Sequence, residues 1–229
     1  MAHPASIPRP ILFGLCLCLV LAAAPAAAQE GSRFRAEFWS SLEGIPQAGD
    51  PWPLPLTVAA ERLANEAAWV FAGEIWGFAF EWTPSDKARG LADSFSLEAL
   101  GSIPKGDPRL HADPARVADG RLLAYVAWRP NEAEQGLVAA SGKSPWLSVQ
   151  GSGKGLYQRG EEGRKEAFDE AARSALRELL RGLEPNKPRR VRGRMVFTSP
   201  PRVGIVDGAW FVQARYRVEV QDVQAYGVY

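Results

Sequence analysis

The strongest alternation of apolar and polar positions lies late in the chain. Ala167, Phe168, Ala171, Ala172, Ala175, Leu176, Leu179 and Leu183 recur at helical spacing and predict a long helix over Glu161–Leu183. Glu161, Glu162 and Glu166 crowd its start and Arg173, Arg177 and Arg181 its end, which complements the helix dipole. Earlier, Val58, Leu63 and Ala67 predict a short helix over Thr57–Ala67, with Thr57 as its N-cap. Trp69–Trp82 is apolar on both alternating faces and predicts a central strand, with Gly73 and Gly77 marking a bend or a close backbone approach. Ser94–Ile103 predicts a second strand and Arg109–Ala112 a short edge strand. Arg121–Trp128 places Leu122, Ala124, Val126 and Trp128 on one strand face. Strands follow over Arg189–Thr198, Arg202–Val206 and Ala209–Gln221. Thr83–Asp86 and Lys105–Pro108 are turn signals. Asp119-Gly120 suits a type I′ hairpin turn, and Asp207-Gly208 supplies a similar one.

These elements divide the chain. Residues 1–28 read as a secretory signal: Arg9 precedes an apolar run, Ile11–Ala24, which ends in Pro25 and Ala26-Ala27-Ala28. Cys16 and Cys18 sit inside the run after Leu15 and Leu17, which does not fit lipidation at the end of such a run. Residues 29–56, broken by Pro46, Pro51, Pro53 and Pro55, read as an irregular N-terminal arm. Residues 57–130 then form a first α+β unit, 131–160 a Gly/Ser-rich linker or loop, and 161–229 a second α+β unit. The fold class is therefore α+β, with antiparallel sheets each packed by a helix. The repeated Pro-Arg-Val and Asp-Gly strings suggest two tandem α-β-β-β units.

Composition narrows the chemistry. Both cysteines fall within 1–28, so the remainder has no thiolate ligand, disulfide or cysteine nucleophile. His111 is the one histidine beyond that segment, too few for a multi-histidine zinc site. No metal or other cofactor is expected. With Arg9 set aside, 26 basic residues balance 26 acidic ones, which argues against nucleic-acid binding. No later stretch is long and apolar enough for a membrane span, so none is expected after signal cleavage. All eight tryptophans lie beyond residue 28, a plausible source of core stability without disulfides.

Several strings invite a functional reading. Gly136–Ser144 has the look of a phosphate-binding loop, but five residues rather than four separate Gly136 from Gly142, and Pro145 follows, so a flexible loop is expected. Gly151–Gly155 reads as linker rather than as an anion nest. Asp86 with Arg89, and Asp107 with Arg109, follow apolar strands, and the two carboxylates are candidates for acid–base work on a glycan. Turn formation is the simpler role of both. Arg190, Arg192 and Arg194 alternate along one strand, opposite Val191, Met195 and Phe197. Arg215 and Arg217 alternate on the last strand. If the two strands share a sheet, these five arginines share its exposed face and suit an anionic polymer or acidic partner. The aromatic run Trp69–Trp82 suits either core packing or the lining of an apolar ligand cavity.

The run Trp69–Phe80, continuing into Thr83–Asp86, resembles a family of uncharacterised exported spirochaete proteins. Gly106–Leu110 and Asn186–Arg189 add to the resemblance, which covers most of the chain beyond residue 28. It implies a fold and a location but no activity. The second half is also similar to small envelope modules with one helix on a three-stranded sheet, some of which assist flagellar or outer-membrane assembly.

A non-catalytic binding or assembly role in the periplasm or cell envelope is therefore expected, in a periplasmic or secreted protein. The partner would be an envelope protein or an anionic envelope polymer. The alternatives are a glycan hydrolase using the Asp86 and Asp107 carboxylates, or a carrier of an apolar ligand.

Overall fold

The computed structural model describes residues 34–183 and 187–226. The expected signal segment, 1–28, and Asn186 lie outside these residues. The elements in chain order are β1 (Arg35–Ser41), α1 (Leu56–Ile75), β2 (Phe78–Thr83), β3 (Ser94–Ala99), β4 (Leu110–Ala112), β5 (Arg116–Ala118), β6 (Arg121–Trp128), α2 (Glu132–Lys143), β7 (Leu147–Leu156), α3 (Glu161–Leu183), β8 (Arg190–Phe197), β9 (Arg202–Val206) and β10 (Ala209–Gln224). The class is α+β, and the strands pair antiparallel throughout.

The strands form two sheets. In the first, β6 is flanked by β1 on one side and by β4 and β5 on the other. The second runs β3-β2-β8-β10-β7, with β9 also pairing β10. Helix α1 lays Ala59, Leu63, Ala67, Val70 and Phe71 against Phe38, Leu122, Val126 and Trp128 of the first sheet. Helix α3 lays Ala167, Phe168, Ala171, Ala175 and Leu176 against the inner face of the second, where Phe80, Val191, Val212 and Tyr216 point.

Three expectations change. The first is the strand over Trp69–Trp82. Helix α1 continues through Ile75, and only Phe78–Thr83 is strand. A dense apolar run does not distinguish a buried helix from a buried strand. The buried positions Ala59, Leu63, Ala67, Val70 and Phe71 follow the helical period back to the start of α1. Thr57 lies within the helix; Pro55 occupies the N-cap position. Gly77 reverses the chain at φ 72°, where a Cβ would meet the Met195 carbonyl oxygen at 2.4 Å.

The second change concerns 131–160, expected as a linker and found as α2 and β7. Helix α2 is started by a capping box: Asn131 accepts from the Glu134 backbone N–H, and Glu134 accepts from that of Asn131. Asn131→Ala should lower stability by about 1 kcal/mol in chemical denaturation. The Gly136–Ser144 string is thus helix and helix cap, neither phosphate loop nor flexible loop. In β7, the alternating Gly151, Gly153 and Gly155 face α3. A Cβ on Gly153 would lie 2.2 Å from the Ala167 carbonyl oxygen, and one on Gly151 2.0 Å from that of Ala171. The glycines allow backbone-to-backbone approach of strand and helix.

The third change is the relation of the halves. They are interleaved rather than tandem, because β2 pairs β8, for example Ala79 with Arg194 and Glu81 with Arg192. Part of the expected irregular arm also joins in, as β1 pairs β6 from Arg35↔Ala127 to Ser41↔Arg121. Both Asp-Gly turns take the expected positive φ at both positions, 51° and 69° at Asp119-Gly120 and 53° and 71° at Asp207-Gly208.

Candidate functional site

Strands β8 and β10 are neighbours in one sheet, so Arg190, Arg192, Arg194, Arg215 and Arg217 do share its outer face. Their surroundings divide them. Glu81 on β2 lies 2.7 Å from the Arg192 Nε and 3.6 Å from Arg190. The Arg192 guanidinium, with Arg190 behind it, holds the Glu81 carboxyl below the usual carboxylate range. Arg190 and Arg192 therefore share one carboxylate, with Arg192 the closer partner.

Arg194, Arg215 and Arg217 have no carboxylate in salt-bridge range among the described residues. Arg194 is flanked in register by Glu219 and Ala79. Arg217 donates to the Ser141 carbonyl at 2.6 Å, and Arg215 to the Gln150 side-chain oxygen at 3.4 Å. Helix α2 rises beside this face at Ser141 and Gly142, making a groove of about 580 Å³. Arg215, Arg217, Ser148, Gln150 and Thr198 line it, with Val196 an apolar patch on its wall. Two arginine forks among hydroxyl and amide groups offer hydrogen-bond donors suited to carboxylate or phosphate oxygens.

The other expected set does not converge. Asp86 follows β2 and caps a short 3-10 turn, accepting from the N–H groups of Ala88 and Arg89. Its carboxylate takes the Arg89 guanidinium at 2.7 Å, and Arg89 stacks over Tyr226. Asp107 sits before β4, in the other sheet, and binds Arg109 at 3.0 Å. Arg109 also reaches Glu134 at 3.1 Å and lies over Trp128, tying the start of α2 to the first sheet. Each carboxyl is held below its usual range, chiefly by the hydrogen bond from its own arginine. Neither is tuned to carry a proton near neutrality, as a general acid must be. His111 lies exposed on β4.

A second arrangement escaped the sequence reading. Glu66 on α1 and Arg164 on α3 form an ion pair, their side chains only 10% and 5% exposed. Burial pushes the Glu66 carboxyl up to about 7, and Arg164 only partly opposes it. The Arg164 guanidinium lies 5.0 Å from the Trp210 ring centroid and 5.6 Å from that of Trp39, two rings that stack on each other. Trp39 belongs to β1 and Trp210 to β10, and the Trp39 indole N–H donates to the Val203 carbonyl, so this cluster joins the two sheets. No local pattern points to it, because Glu66 and Arg164 lie 98 residues apart in the chain.

A protein-family model matches residues 22–226. An uncharacterised protein of Treponema pallidum (strain Nichols) is 23% identical over 175 residues, covering 76% of this chain and 74% of that protein. No solved structure matches.

Proposed function

The chain belongs to an uncharacterised spirochaete-type family, and from that premise we propose that it is an exported, non-catalytic binding or assembly protein of the cell envelope that takes an anionic partner on the outer face of its second sheet. The observation that carries this reading is the set Arg194, Arg215 and Arg217, on one face, without a carboxylate partner among the described residues, with Arg215 and Arg217 lining a groove. Guanidinium groups with no carboxylate partner keep their charge for a ligand, whereas Arg190 and Arg192 share Glu81. The signal-like residues 1–28 support export.

The test is in-cell crosslinking and pull-down of the tagged protein from the envelope fraction, compared between the natural chain and two reversed variants. Arg215→Glu with Arg217→Glu should abolish capture of an anionic partner. Arg190→Glu with Arg192→Glu should weaken it less, because those two guanidinium groups already share the Glu81 carboxylate. Capture that is unchanged by the first pair of substitutions sinks the reading. Recovery of the tagged protein from the cytoplasm alone removes its envelope component.

A further inference from the structure

Residues of α1, α3 and β3 line a separate groove of about 420 Å³, well within the size of small-molecule sites. Its floor is apolar, made by Trp69, Leu97 and Phe168. Glu66 and Arg164 stand at one side, and Arg62, Glu161, Lys165 and Asp169 around the rim.

The charges do not balance. Arg62 is held by both oxygens of Asp50, at 3.0 and 2.5 Å. Lys165 is held by Asp169 at 2.6 Å and Arg164 by Glu66. Among the described residues, Glu161 has as its charged partner the Arg62 Nε at 3.9 Å, a guanidinium already committed to Asp50. The lining itself holds three cations, Arg62, Arg164 and Lys165, and three carboxylates, Glu66, Glu161 and Asp169; Asp50, which binds Arg62 from outside the groove, is the fourth carboxylate. In addition, only one oxygen of Glu66 is engaged, Oε2 with Arg164; Oε1 accepts no hydrogen bond among the described residues. An apolar floor beside carboxylates suits an amphiphilic cation, the floor taking a hydrocarbon and the carboxylates accepting charge-assisted hydrogen bonds from an ammonium group.

We propose that this groove binds a small organic ammonium ion with an apolar body, its nitrogen directed to Glu66 and Glu161 and its hydrocarbon laid on Trp69, Leu97 and Phe168. A carboxylate ligand would meet the excess negative charge, and a neutral alcohol would leave it uncompensated. The site is separate from the arginine face and does not depend on it.

The test is isothermal titration of the purified protein at about pH 8, where Glu66 is largely ionised, with n-octylammonium below its micelle concentration, and with octanol and octanoate as matched controls. Octylammonium should give a saturable one-site isotherm, about tenfold or more tighter than either control. Glu66→Gln should weaken it by a similar factor. Asn65→Trp, a change at an exposed lining position, should block the groove even if the Glu66 variant folds poorly. No saturable octylammonium binding, equal binding of octanoate, or binding undiminished by Asn65→Trp would overturn the proposal.

Discussion

Gly153→Val should lower the stability of the protein by about 3 kcal/mol or more, seen as a fall in the denaturant midpoint. Valine is a better strand former than glycine, so local preference alone points the other way. The packing decides. The new Cβ would lie 2.2 Å from the Ala167 carbonyl oxygen, 2.4 Å from the Ala171 amide nitrogen and 2.8 Å from the Glu170 Cβ. Two of these are helix backbone atoms, which cannot turn aside as a flexible side chain does. To admit valine, α3 must lift from β7 and open the core behind it. Ser152→Val is the matched control. It adds the same propensity on the exposed face of the same strand, and its effect should stay within about 0.5 kcal/mol. Equal effects of the two substitutions would mean that α3 does not cross β7 at backbone contact.

The second large effect is expected at the ion pair between the sheets. Arg164→Met should cost about 3 kcal/mol or more at about pH 8, because it strands the Glu66 carboxylate in a buried site. Methionine keeps much of the volume between Trp39 and Trp210 but offers no donor. At about pH 5 the cost should be smaller by about 1 kcal/mol, since Glu66 then carries a proton in the native state with or without Arg164. Replacing Glu66 as well, with Arg164→Met and Glu66→Met together, should recover most of the stability at pH 8.

The unaltered protein has its own pH signature. The native Glu66 carboxyl is raised to about 7 from an ordinary 4.5. Between those values the native state binds more protons than the unfolded one, so stability falls as pH rises across that window. Glu66 alone contributes at most about 3 kcal/mol to that fall. Denaturation midpoints measured across the window check the sign. A rise in stability from this group with increasing pH would show that Arg164 outweighs burial.

Much of the fold was legible where a single element carries its own pattern. The α3 stripe is amphipathic along its length, and β6 and the first parts of β8 and β10 alternate, so the arginines of each strand could be assigned to one face, while their sharing of a sheet rested on the pairing of β8 with β10. The Asp-Gly turns were equally readable, because few residues tolerate positive φ at two consecutive positions. The errors arose where neighbours, not local pattern, set the structure. The run from Trp69 is apolar on every side because α1 packs against the first sheet with one face and sends Trp69 into the core of the second. A chain buried on several sides loses the period that reveals its type. In β7 the glycines mimic a linker, since nothing in Gly-Ser-Gly-Lys-Gly says that a helix lies across it.

The candidate sites divide in the same way. Sequence alone determined which arginines of a single strand point together, because side-chain direction along a strand is a local property with a fixed period of two; the pairing of β8 with β10 put the two sets on one face. It also determined that thiolate chemistry has no place beyond residue 28. Tertiary structure decided which of those arginines remain without a carboxylate partner, since Glu81 reaches Arg190 and Arg192 only through the pairing of β2 with β8. It likewise brought Glu66 and Arg164, 98 residues apart, into contact. Electrostatic environment depends on distance and burial, and those are set by long-range packing that no local pattern along the chain encodes.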